Sequence, residues 1–161
     1  MVGHAPRAES SVRIAMVTKR QRPAKKYFTA TEANAMLPLV RAVVKDIVEL
    51  ARDLRDRHER LARIAHAEQK APTEAHQEEL LLIESELEKG QDRLREYEHE
   101  LKALGVELKD YFTGLIDFPC WMNDHEVYLC WRMGEPEVTH WHEIDDGFAG
   151  RQKLFADAGR I

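Results

Sequence analysis

Residues 80–104 read LLLIESELEKGQDRLREYEHELKAL, and the spacing inside this stretch decides the fold. Leu80, Ile83, Leu87, Gly90, Leu94, Tyr97, Leu101 and Leu104 recur at intervals of 3-4-3-4-3-4-3. Such a register puts all eight on one seam of a long helix and turns the charged residues between them to solvent. Thr73 is placed to cap this helix, and Gly105 supplies its C-terminal stop. Gly90 lies on the seam itself. It costs roughly 1 kcal/mol against alanine, so a close helix crossing is expected there.

Upstream lies a matching helix. Val40, Val44, Ile47, Ala51, Leu54, His58, Leu61 and Ala65 form a second seam, between charged faces such as Arg55-Asp56-Arg57. About 29 residues would reach roughly 43 Å. Lys70-Ala71-Pro72 is the linker, and a linker this short makes the two helices antiparallel. Thr29-Ala30-Thr31-Glu32 reads as a capping box. Pro38 is expected to end the short helix it opens and to begin the longer one, because proline lacks an amide donor.

Downstream of Gly105 the period changes to that of strands. Residues 114–119, 127–131 and 138–142 are three short strands rich in β-branched and aromatic residues. Asn123-Asp124 marks the first turn and Gly134-Glu135-Pro136 the second. The expected fold is α+β: a long antiparallel helical hairpin (29–104) packed with a small three-stranded antiparallel β-meander (114–143). Both belong to a single domain over 27–155. Residues 1–26 are expected to be a disordered basic leader, and 156–161 a C-terminal tail.

Charge is unevenly spread. Seven basic residues against Glu9 give +6 over residues 1–26. The net charge of −5 then leaves −11 for the rest. So acidic a body is a poor surface for nucleic acid, whose binding rests on Lys and Arg neutralising phosphates. Apolar runs are only a few residues long, which excludes a membrane-spanning segment. No apolar h-region follows the basic N-terminal residues, so a cytoplasmic location with free thiols at Cys120 and Cys130 is expected. Met1 and Met16 are both candidate translation starts.

The C-terminal third carries the most distinctive motifs. They are Gly114-Leu115-Ile116-Asp117-Phe118-Pro119, Val127-Tyr128-Leu129-Cys130-Trp131, Gly134-Glu135, Trp141-His142-Glu143 and Gly147-Phe148-Ala149-Gly150-Arg151. Read in this order behind a hairpin that opens with Tyr27-Phe28-Thr29, the run resembles the bacterial family known as domain of unknown function 2203, over roughly residues 27–154. The resemblance implies a small bacterial cytosolic protein. It brings no catalytic residues with it.

The residues themselves locate a site. A two-residue Asn123-Asp124 loop places Ile116, Phe118 and Cys120 opposite Trp131, Leu129 and Val127, on one apolar face. Asp117, Tyr128 and Cys130 take the other face. The third strand has two candidate registers, since Pro136 cannot close a two-residue Gly134-Glu135 loop. One sets Cys130 opposite His140 and gathers Asp117, Tyr128, Cys130, His140 and His142. The other sets Cys130 opposite Thr139 and brings Trp141 and Glu143 instead. Tryptophan buries more apolar area than histidine, and an unpaired buried imidazole is costly. The first register is therefore expected, with Trp141 against the helices and His142 on the more open, polar side.

Three functional classes follow from these residues. Cys130, His140 and His142, with Asp117 in support, are candidate zinc ligands. His142 among acids offers acid–base chemistry, but His142 and Glu143 are strand neighbours and point to opposite faces. No nucleophile elbow, phosphate loop or dinucleotide fingerprint occurs. The third class is a non-catalytic binding or scaffolding module, homodimeric through the helices, with Asp117, Trp131, Trp141, His142, Glu143 and Arg151 as candidate binding residues for a protein or small anion. Arg151 has two candidate partners, a local carboxylate or that anion.

Overall fold

A computed structural model describes residues 24–155. The leader over 1–23 and the tail over 156–161 lie outside the described residues. Two helices come first, α1 (Ala30–Lys70) and α2 (Glu74–Ala103). Thr29 caps α1 by accepting from the Glu32 amide, and Thr73 caps α2 by accepting from His76. Five strands follow: β1 (Glu107–Asp110), β2 (Leu115–Met122), β3 (His125–Arg132), β4 (His140–Glu143) and β5 (Gln152–Lys153). They form one antiparallel meander in sequence order. The class is α+β, as expected, with five strands where three were read.

Pro38 does not divide the first helix. α1 runs through it for 41 residues, about 60 Å at the helical rise. An interior proline costs about 3 kcal/mol. Burial of Leu37 and Val40 on either side offsets that cost, and Pro38 itself faces solvent. Asn34 adds a second anchor. Its side chain donates to the Val138 carbonyl at 3.3 Å and accepts from the Val138 amide at 2.7 Å, which clamps the segment before β4 onto α1.

The β2–β3 hairpin has the register expected from its turn. Asn123 and Asp124 both adopt positive φ (50° and 64°), as a two-residue hairpin loop requires. Ile116 faces Trp131, Phe118 faces Leu129 and Cys120 faces Val127. This apolar face packs on Phe28, Leu37, Val40, Val44, Ile47 and Leu101 to form the main core. Gly114 enters the sheet at φ +69°, where a Cβ would stand 2.8 Å from Met133 and 2.9 Å from Val44. The chain can pass between sheet and helix there only without a side chain.

A second apolar cluster sits further along the hairpin, on Leu54, Ile83 and Leu87, with no sheet residue in it. Gly90 marks the close crossing, since a Cβ there would lie 2.3 Å from a Leu54 methyl. Cys120 and Cys130 are both free and buried, on opposite faces of the sheet. Among the described residues, no helix is long and apolar enough to cross a membrane.

Two aromatic expectations need correction. Trp131, read as a binding residue, is wholly buried in the core, and its indole N–H donates to the Glu135 carbonyl at 3.0 Å. The side of the sheet bearing His142, read as the more open one, is sealed: only 2% of His142 is exposed.

Candidate functional site

Alternation along three adjacent strands assembles the polar face. β4 takes the expected register, with Cys130 opposite His140 and Tyr128 opposite His142. Asp117 faces Cys130 across the β2–β3 pair. Each strand therefore sends one side chain to a common point: Asp117 from β2, Cys130 from β3 and His142 from β4. One ligand-type atom from each lies within 4.8 Å of the others, and all three residues are buried. Trp141 turns the other way and packs, half-buried, on the main core.

The imidazole is held at both nitrogens. His142 Nδ1 is 2.7 Å from the Glu143 carbonyl, and Nε2 is 3.0 Å from Asp117 Oδ1. A carbonyl only accepts, so Nδ1 carries the hydrogen. Nε2 is then turned to the Asp117 carboxyl, and a single hydrogen bond joins the two side chains. The Tyr128 ring packs beside the imidazole at 5.5 Å, and Lys109 Nζ stands 4.9 Å from the centre of the Tyr128 ring.

Burial sets the electrostatics. It raises the Asp117 carboxyl above its ordinary value, against the opposing pull of His142, Lys109 and Cys130. Burial, with the Asp117 charge adding to it, pushes the Cys130 thiol up to about 12, while Arg151 acts the other way. Tyr128 is also raised, by burial and then by Glu107.

An ion pair stands near enough to the cluster for its charges to act on Cys130. Arg151 donates to Glu135 through both terminal nitrogens, at 2.5 and 2.9 Å. Its guanidinium lies 4.6 Å from the Phe148 ring, and Arg132 lies 5.0 Å from the same ring. Burial is the largest single influence and works to raise Glu135, but the bonds from Arg151 and from the Arg132 amide, with the charge of Arg151, together outweigh it and hold that carboxyl low. Arg151 is thus paired with a local carboxylate, one of its two candidate partners. Sequence reasoning treated Glu135 only as a turn residue. Its signal was the carboxylate that a buried arginine needs.

The remaining candidates lie elsewhere. His140 stays outside the cluster, half-buried, with Nδ1 2.9 Å from the Thr139 hydroxyl. Asp117 takes the place expected for His140 in a three-ligand set. Glu143 is on the opposite face, where its carboxylate meets His125 Nε2 at 3.0 and 3.1 Å. An apolar concavity of about 410 Å³ lies between Leu54, Leu94 and Phe112, away from this cluster.

All five C-terminal motifs are represented here: Asp117, Tyr128, Cys130 and His142 on the polar face, and Glu135 and Arg151 in the neighbouring ion pair. The sequence model of a family described as an uncharacterized conserved protein (DUF2203) matches residues 26–154. The chain belongs to the DUF2203 family. The match spans both helices and the whole meander, so helical hairpin and polar cluster both lie within the DUF2203 domain. No curated protein and no solved structure matches the chain.

Proposed function

We propose that this DUF2203 protein is a non-catalytic, cytoplasmic binding module that works as a homodimer joined along its helical hairpin. The carrying observation is that the hairpin outruns the sheet. On the part of the hairpin beyond Leu54 only Ile83 and Leu87 are buried, while seam residues Leu61, Ala65 and Leu80, and Ile64 beside them, are only half-buried. Leu81 and Leu82 are 68% and 59% exposed on the same stretch. A second hairpin laid against this one would complete a four-helix bundle.

Charge favours a second copy as the occupant. α1 carries five arginines between Arg52 and Arg63 against three acids. The facing half of α2, Glu74 to Glu88, carries six glutamates and no lysine or arginine. Arg57–Glu86 and Arg60–Glu79 already join the two helices within one chain. An antiparallel two-fold dimer repeats that complementarity between chains. The sealed position of His142 argues against its use as a catalytic base.

Light scattering at micromolar concentration tests this reading. The expected mass is twice that of the chain, and Ile64→Glu should return it to one chain. A one-chain mass for the unaltered protein at every concentration would overturn it.

A further inference from the structure

We propose that Asp117, Cys130 and His142 form a binding site for one borderline divalent cation of the zinc type. The donor atoms already lie within 4.8 Å of one another. A tetrahedral zinc with bonds of 2.0–2.3 Å holds its donors about 3.5 Å apart, so small side-chain shifts close the set on an ion.

The orientation of His142 is that of a ligand. A metal-bound histidine donates its second N–H to a carbonyl or carboxylate, which fixes the ring and the tautomer. Here Nδ1 donates to the Glu143 carbonyl at 2.7 Å. Nε2 is thereby aimed at Asp117 and the Cys130 side of the sheet.

The charges balance. Thiolate and carboxylate together carry −2, and the imidazole is neutral. A dication takes the place of the thiol proton and of the proton in the hydrogen bond between His142 and Asp117, releasing two protons and leaving a neutral buried centre. The neighbouring ion pair adds no net charge, because Arg151 is neutralised by Glu135. One sulfur, one nitrogen and one oxygen suit zinc and exclude the all-oxygen shells of magnesium and calcium. Three protein ligands leave a fourth position for a water or small ligand. Because the three ligands come from β2, β3 and β4, the ion would fasten the centre of the sheet. This site is independent of the helical dimer.

Two residues serve as internal controls. Cys120 is an equally buried thiol on the apolar face, and His140 is a neighbouring imidazole outside the cluster.

The test is titration of the reduced, untagged, metal-free full chain with cobalt(II), then with zinc against a chromophoric chelator. One cobalt per chain should bind, with thiolate-to-cobalt charge-transfer absorption in the near ultraviolet and tetrahedral bands in the visible. Cys130→Ser should abolish the charge transfer, while Cys120→Ser and His140→Gln should keep it. His142→Gln should weaken zinc by more than the 10–100-fold that loss of an orienting partner costs. The unaltered chain needs no variant to fold: absence of charge transfer at stoichiometric cobalt overturns the site. Its survival in Cys130→Ser, or its loss in His140→Gln, overturns this ligand set.

Discussion

The two faces of the sheet are both buried, but by different means. The lower face is covered by helices and is apolar from Ile116 to Trp131. The other face carries Asp117, Cys130 and His142, all buried but none of them part of the core formed with the helices. The first face gains stability from apolar area removed from water. The second gains little, since its hydrogen bonds replace bonds to water. The helical face therefore holds the fold, and the polar face spends stability on a specific arrangement of donors.

Removing a large side chain from each face should expose this difference. Phe118 is fully buried, with its ring 5.2 Å from that of Phe28. Phe118→Ala is expected to cost about 3–5 kcal/mol through lost burial and a cavity. Denaturant unfolding measures it. A loss under 1 kcal/mol would mean that the helices do not carry the fold.

His142→Ala in metal-free protein should cost less, about 2 kcal/mol, the usual cost of an unpaired buried group. Asp117 limits the damage, because its raised carboxyl can take up the proton and avoid a full buried charge. Adding Asp117→Leu should recover part of the loss, as two interacting residues are not additive. A double variant as unstable as the sum of the two singles would show that they do not interact.

Trp121 sharpens the comparison within the polar face. It stands two residues beyond Pro119 on the same strand, is 52% exposed and meets only the edge of Tyr27 among aromatic rings. Trp121→Ala should cost under about 1 kcal/mol in the same unfolding experiment. A larger loss would show that the exposed rim of this face, and not its centre, carries its stability.

Of the site, the partners were legible and the closure was not. Strand alternation alone put Asp117, Tyr128 and Cys130 on one face, and the bulk of Trp141 chose the register that added His142. The same reasoning placed His140 among the ligands, since both histidines do share that face. What separates them is lateral position. His142 Nε2 reaches Asp117, whereas His140 turns to Thr139. Sequence spacing gives the face, not the distance.

The sequence by itself determined the hairpin of helices, the turn at Asn123-Asp124 and the β2–β3 register. These rest on heptad spacing and positive-φ turn chemistry, which act over a few residues. Only the tertiary structure decided that α1 continues through Pro38, that β1 and β5 extend the sheet, and that the His142 face is sealed. Each depends on a partner far along the chain: Val138 on Asn34, Asp117 beside Glu107, and Glu135 with Arg151. A local pattern cannot encode contacts whose free energy appears only when distant segments meet, and it is those contacts that turned a polar strand face into a closed cluster.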